Sequence, residues 1–314
     1  MSSSARFSAA VLAVVLSAFT ACGGSDSAAA TPTPTPASSV PTPTPAGGPW
    51  TLVFADEFDT PGALDPARWG YEIGSIRNSE AQYYTSRSEN VRVEGGNLVI
   101  EARKEPYQGY AYTSASVNTK TRFEFTYGRV EVRAKLPTGT GTWPAIWTLG
   151  ADIDQVGWPA CGEIDIMENV GFDPLRIYGT IHTPAGSGAN GKGSSLTVSN
   201  PGDDFHRYAM EWYRDRIDIF VDDQKYFTYR NDGSGTRGGW PFDGPQYLLL
   251  NLAIGGSWGG QQGIDDSLFP HRYAIDYAST SAAERPPCLA RQGRFRGTLV
   301  DVPTSTAEGR EEVA

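Results

Sequence analysis

Cysteine is scarce in this chain: Cys22, Cys161 and Cys288 are the whole set among 314 residues. Three thiols, one of them near the start, are too few for a disulfide framework. Positive charge is also short. Twenty-six Lys and Arg face 36 Asp and Glu, a formal net charge of −10, which argues against nucleic acid or an anionic membrane surface as a partner. Long apolar runs are missing as well. The stretch Ala9 to Phe19 is too short to span a bilayer as a stable helix. No long segment repeats with helical period, which sets aside a helical bundle.

What is present is a series of short alternating segments punctuated by turns. Asn90–Glu94 alternates, Gly95-Gly96-Asn97 turns and Leu98–Ala102 returns, a hairpin signal. Gly128–Lys135 and Arg216–Val221 alternate in the same way, and Asp222-Asp223-Gln224 turns the latter into Lys225–Phe227. Many short strands with frequent Gly and Pro predict an all-β sandwich or barrel, with brief helical pieces such as Asp65–Trp69. Aromatics make up 11% of the chain and include eight Trp. That suits a carbohydrate cleft, where flat apolar sugar faces lie on rings, and equally a well-packed sandwich.

One strand-like segment carries chemistry. Gly162-Glu163-Ile164-Asp165-Ile166-Met167-Glu168-Asn169 interleaves three carboxylates with apolar residues. Side chains alternate faces along a strand, so Glu163 and Asp165 share one face while Ile164 and Ile166 share the other. Glu168 is out of parity by one residue. A β-bulge at Met167 restores it, because a bulge inserts one extra residue and re-aims the side chains after it. Like charges on neighbouring positions destabilise a sheet and raise the pKa of at least one member. A proton-sharing row of acids is what glycoside hydrolysis with retention needs, one carboxylate attacking the sugar carbon and another protonating the leaving oxygen. A solvated strand face is the plain alternative.

The segment and its surroundings resemble glycoside hydrolase family 16, in particular the bacterial laminarinase-like endo-β-1,3-glucanases. The bulged family motif Glu-x-Asp-x-x-Glu is matched by Glu163 to Glu168. The likeness runs from about Trp50 to Tyr277. It takes in Phe54-Ala55-Asp56-Glu57-Phe58, Gln82-Tyr83-Tyr84-Thr85, Trp143-Pro144-Ala145-Ile146-Trp147, Gly179-Thr180-Ile181-His182 and Leu250 to Gly256. The resemblance implies a two-sheet jelly-roll sandwich with a concave substrate cleft. It makes Glu163 the nucleophile, Glu168 the general acid/base, and Asp165 the residue that tunes the nucleophile's protonation. It implies sugar contacts at Trp143, Trp147 and His182. Asn78, Gln82, Arg122, Trp240, Asn251 and Trp258 are further candidates, each with a structural alternative; Asn251, in an apolar strand, needs a partner that is either substrate or a neighbouring strand. Family members often carry a structural calcium away from the cleft, and Glu57, Gly95 and Asp276 match its places, with oxygen ligands suited to Ca²⁺. No cofactor is needed for catalysis. The implied partner is β-glucan polysaccharide, cleaved by a monomer. Agarase, carrageenase or mixed-linkage activity, or glucan binding without catalysis, stay open as alternatives.

The ends read differently. Residues 1–21 resemble a signal peptide, with Arg6 before the apolar run, and Phe19-Thr20-Ala21-Cys22 resembles a bacterial lipobox. A secreted lipoprotein anchored at Cys22 is expected; cleavage near Ala21 with a spare thiol is the alternative. Residues 22–48 form a Thr/Pro-rich linker, extended near polyproline II. The catalytic domain is placed at 49–277. After Asp276-Tyr277 the family continues with a strand like Val-Arg-Val-Tyr-Gln, whereas here Ala278-Ser279-Thr280-Ser281-Ala282 comes next. The bases C GCG TCT ACC AGC GCC encode that pentapeptide from the second base and Arg-Val-Tyr-Gln-Arg from the first. Residues 278–314 are therefore expected to be a frameshifted, disordered tail.

Overall fold

The computed structural model describes residues 50–283. The signal-like segment, the linker, Cys22 and the chain beyond 283 lie outside the described residues. Seventeen strands are formed among those described: β1 (Trp50–Asp56), β2 (Gly70–Glu72), β3 (Gln82–Tyr84), β4 (Val91–Glu94), β5 (Asn97–Tyr107), β6 (Tyr110–Ser114), β7 (Ser116–Asn118), β8 (Gly128–Lys135), β9 (Thr142–Gly150), β10 (Glu163–Glu168), β11 (Arg176–His182), β12 (Lys192–Thr197), β13 (His206–Trp212), β14 (Arg216–Val221), β15 (Gln224–Arg230), β16 (Gln246–Ile254) and β17 (His271–Ala283). The one α-helix among them is the single turn Ile153–Val156. The helical piece expected at Asp65–Trp69 is only a turn, closed by Arg68 and Trp69 N–H groups donating to the Asp65 carbonyl.

The strands form two sheets. A ten-stranded sheet runs β15-β14-β13-β8-β17-β5-β6-β3, with β1 on β17 and β4 on β5. A seven-stranded sheet runs β12-β11-β10-β9-β16-β7-β2. The core lies between them. Val130, Val132, Met210, Trp212, Ile217 and Ile219 from the larger sheet meet Ile146, Ile164, Ile166, Ile181, Leu250 and Leu252 from the smaller. Each such side chain contributes about 1.5–3 kcal/mol when fully buried, and alternation along each strand leaves the other face free for polar chemistry. The predicted hairpin forms as β4 and β5; Gly95 and Gly96 both sit at positive φ, the conformation a tight two-residue turn demands.

The end of the domain corrects the sequence reading. The strand does not stop at Tyr277. β17 continues to Ala283, where Ala278 pairs with Val132 of β8 and with Asp56 of β1, and Thr280 pairs with Val130 and Phe54. Small polar residues carry no alternation signal, but β1 and β8 flank residues 278–281 and β1 continues alone to 283, and these backbone partners hold the segment in the ladder. A bulge lies between Ile275 and Tyr277, so Asp276 is the extra residue there.

Candidate active site

The smaller sheet places the acids in register across its exposed face. β10 pairs with β9 as Glu163↔Leu149, Asp165↔Trp147, Met167↔Ile146 and Glu168↔Ala145, with the register shifting between Asp165 and Met167. Against β11 the shift falls between Asp165 and Glu168. This is the predicted bulge. Ile164, Ile166 and Met167 all enter the main core, and Glu163, Asp165 and Glu168 share the other face. Cross-strand pairing then lays out three rows. The first runs His182–Glu163–Leu149–Tyr247; the second Thr180–Asp165–Trp147–Leu249–Asn118–Gly70; the third Tyr178–Glu168–Ala145–Asn251–Ser116–Glu72.

Each glutamate accepts a hydrogen bond from an indole, and Asp165 lies beside His182. Trp158 Nε1 donates to Glu163 Oε2 at 2.7 Å. Trp143 Nε1 donates to Glu168 Oε1 at 3.0 Å. His182 Nε2 lies 3.1 Å from Asp165 Oδ2 and 3.8 Å from Glu163 Oε1. A cleft of about 800 Å³ opens above, lined by Glu163, Glu168, His182, Asn78, Trp143, Trp158, Tyr178, Trp258 and the Gly/Ser-rich segment 188–195. Asp165 is 3% exposed and lies beneath the two glutamates rather than in the wall.

Burial and charge crowding set the protons. Burial, then the Asp165 carboxylate, push Glu163 up to about 8, while His182, the Trp158 hydrogen bond and the Arg77 guanidinium favour its anion. Burial pushes Asp165 up to about 7. Burial, then Asp165, hold Glu168 well above the usual carboxylate range, with Glu163 adding to the effect. The row therefore cannot ionise completely near neutral pH. Glu168, repelled by both other acids, is the member suited to keep a proton, and Glu163, with the Trp158 indole N–H, His182 and the Arg77 guanidinium favouring its anion, is suited to lose one. One atom each from Glu163, Asp165 and His182 lie within 4.8 Å of one another, a geometry a cation would also fit; it would block the attacking oxygen.

Not every expected contact reaches the cleft. Asn78, Trp143, His182 and Trp258 line it. Trp143 and Tyr178 both pack edge-on to Trp258, at 5.6 and 4.9 Å between centroids. Trp147 is 6% exposed and bonds Asn251 Oδ1 through Nε1 at 2.8 Å; Asn251 Nδ2 in turn donates to the Tyr84 hydroxyl. The partner Asn251 needed is thus protein. Gln82 is buried, bridging Glu80 and the Ile254 N–H, so it braces the loops instead of facing sugar. Trp240 is 3% exposed. It stacks on Tyr229 and packs against Phe242. Arg122 stands apart, in a separate hollow with Gly70, Glu72, Lys120 and Tyr247, its guanidinium donating to the Pro66 and Lys120 carbonyls.

Among the cleft residues that sequence reasoning missed, Trp158 touches an acid directly. It is 48% exposed, five positions before Glu163 in an irregular loop, where no periodicity links the two. The adjacent Trp158-Pro159 pair was the available signal, since exposed loop aromatics gather at binding sites.

At the expected calcium position, Asp276 comes after Ile275, which pairs with Leu98, so it lies beside the Gly95–Asn97 turn. Burial, then Asp276, Asp59 and Asp56, raise the Glu57 carboxyl. Asn97 Oδ1 is buried without a hydrogen-bond partner. Crowded carboxylates and an orphaned amide oxygen are donors a hard cation takes, although Arg133 already pairs with Asp276.

Known proteins resemble this chain in sequence and in fold. A model of glycosyl hydrolases family 16 matches residues 78–279. A β-glucanase of Rhodothermus marinus is 49% identical over 240 residues, covering 73% of this chain and 84% of that protein. The solved laminarinase from Rhodothermus marinus is 46% identical, covers 74% of this chain and 97% of its own, and superposes with a TM-score of 0.72. A mutant of SCLam, described as a non-specific endo-β-1,3(4)-glucanase, presents 1,3-β-D-cellobiosyl-glucose at its active site. It is 48% identical, covers 74% of this chain and 94% of its own, and has a TM-score of 0.72.

Proposed function

The chain belongs to glycosyl hydrolases family 16, and from that premise we propose that it is an endo-acting β-1,3-glucanase, with mixed β-1,3-1,4 glucan as a second substrate, that retains anomeric configuration. The observation that carries this reading is the bulge that turns Glu163, Asp165 and Glu168 onto one face, under a cleft in which both glutamates are accessible. Glu163 attacks the anomeric carbon as Glu168 protonates the departing oxygen. Glu168 then takes a proton from water, which releases the sugar from Glu163. Asp165 shares its proton with the row and keeps Glu163 oriented. The intact acids favour catalysis over glucan binding alone.

Reducing-sugar release from laminarin tests the assignment, with Glu163→Gln and Glu168→Gln as controls. Both variants are expected to lose several orders of magnitude in rate with the fold intact; a wild type no faster than its Glu163→Gln variant would leave only binding. A panel of lichenan, agarose and carrageenan beside laminarin separates the remaining activities.

The same proposal places the protein outside the cell. A signal segment at 1–21, lipidation at Cys22 and the 22–48 linker would hold a monomeric domain at a membrane surface; labelling by a fatty-acid precursor that survives Cys22→Ser would remove the anchor. Glu57, the Gly95 carbonyl and Asp276 would hold a structural Ca²⁺, supported by the acid crowding around Glu57.

A further inference from the structure

Two carboxylate oxygens and a ring nitrogen converge at one end of the acid row. His182 Nε2 lies 3.1 Å from Asp165 Oδ2 and 3.8 Å from Glu163 Oε1, and one atom from each residue lies within 4.8 Å of the others. Asp165 is 3% exposed, yet among the described residues its Oδ2 has no hydrogen-bond partner. A buried carboxylate oxygen without a donor costs free energy. A proton between His182 and Asp165 satisfies two of the three atoms, whereas a divalent cation satisfies all three.

The spacing fits a small tetrahedral ion. Bonds of about 2.0–2.1 Å to zinc set neighbouring ligands about 3.3 Å apart. The His182–Asp165 separation is already close to that, and Glu163 Oε1 reaches it by a small swing of a flexible side chain. The Trp158 indole holds Glu163 Oε2 at 2.7 Å. This leaves Oε1 as the free ligand atom and braces the carboxyl from outside, as the outer partners of metal ligands do. Gly191 backs the imidazole, since a Cβ there would lie 2.7 Å from Cε1. Glu163 and His182 line the cleft, so the fourth position opens to water. Ca²⁺ and Mg²⁺ take about six or more oxygen ligands, whereas one imidazole nitrogen with two carboxylate oxygens suits Zn²⁺ or Cu²⁺. A dication also offsets the repulsion between the two acids.

We propose that Glu163, Asp165 and His182 form an inhibitory site for a borderline transition-metal ion of the Zn²⁺ or Cu²⁺ type, separate from the calcium position at Glu57. The ion ties up the Glu163 carboxylate that attacks the sugar, so the enzyme is silent while metal is bound and active once it leaves. Binding of the ion stands on the donor set alone; the loss of activity rests on the glucanase reading. His182 Nδ1 is buried without a partner among the described residues. An outer acceptor missing there weakens such a site about 10–100-fold against a fully braced one, which keeps the inhibition reversible.

The test uses the full chain without a tag, stripped by chelation and then held in excess Ca²⁺ so that all-oxygen sites are filled. Zn²⁺ is titrated by calorimetry into wild type, His182→Ala, Asp165→Asn and a variant carrying Cys22→Ser, Cys161→Ser and Cys288→Ser. Laminarin hydrolysis by wild type is followed in parallel. A single Zn²⁺ is expected to bind wild type and the cysteine variant alike. His182→Ala and Asp165→Asn are each expected to weaken binding by more than about tenfold, since even an outer partner carries that much. Hydrolysis is expected to fall to background on saturation and to return on chelation. X-ray absorption at the zinc edge of wild type should show nitrogen and oxygen ligands without sulfur, and it decides alone if the variants do not fold. No Zn²⁺ uptake, sulfur in the shell, unchanged binding in both His182→Ala and Asp165→Asn, or full activity with Zn²⁺ bound would overturn the proposal. A wild type that cleaves no β-1,3-glucan before Zn²⁺ is added is a separate result: it strikes the assigned activity, and inhibition is then read on whichever glucan is cleaved.

Discussion

Replacing Glu163 by Gln should stabilise the protein at alkaline pH while abolishing its activity. Burial and the Asp165 carboxylate raise the Glu163 pKa from 4.5 to about 8. A carboxyl whose pKa is higher in the folded state binds more protons there than in the unfolded chain. Its contribution is therefore fully present below pH 4.5 and is lost as pH rises towards 8. The full span corresponds to about 5 kcal/mol at 1.36 kcal/mol per pH unit. Asp165 shares the proton and the cleft admits water to Glu163, so a realised gain of about 2–3 kcal/mol is the better expectation. For a domain of this size that is about 5–10 °C in melting temperature. Calorimetry of wild type and variant at pH 4.5 and pH 8 reads the difference directly. The gap in melting temperature should be near zero at the acid end and widen to several degrees at the alkaline end. An equal gap at both pH values, or a variant less stable than wild type at pH 8, would show that the acid row is not strained and would remove the basis for the proton assignment.

Three further outcomes rest on the same geometry. Asp165→Asn removes a like charge whose oxygen lies within 4.8 Å of Glu163 and His182; at an effective dielectric of 20 the repulsion on Glu163 is about 3 kcal/mol, so the acid limb of the kcat/KM profile, set by ionisation of the nucleophile, should move down by about one to two pH units, and the alkaline limb should follow as Glu168 also loses its neighbour's charge. Gly191→Ala places a Cβ 2.7 Å from the His182 ring, and should cut kcat through displacement of that ring while the melting temperature falls little, as crystallography of the variant can show. Calcium chelation should lower the melting temperature by a few degrees and leave the Glu57→Gln variant unaffected; equal shifts in both would place the ion elsewhere or nowhere.

Much of this was legible without coordinates where periodicity carries the information. The bulge at Met167 is dictated by parity alone, because Ile164, Ile166 and Met167 all need the core and three acids need the cleft. The Gly95-Gly96 hairpin and the strands at 128–135 and 216–221 are dictated by alternation. What was not legible depends on long-range packing. Trp240 reads as an exposed loop aromatic until Tyr229 of β15 stacks on it. Trp147 lies on the predicted face, yet Arg77, seventy residues earlier in the chain, closes it off. Residues 278–283 have no strand pattern of their own and are held by β1, with β8 on the other side as far as Ser281. Trp158 reaches Glu163 from an irregular loop, and no spacing rule describes such a contact.

The central claim is that Glu163 bonds covalently to the sugar while Glu168 supplies and then recovers a proton. Proton NMR of the first moments of laminarin hydrolysis tests it most directly, since the anomer released reports the number of inversions. Initial accumulation of the β-anomer, with mutarotation only afterwards, is the expected result. Initial accumulation of the α-anomer would contradict the account.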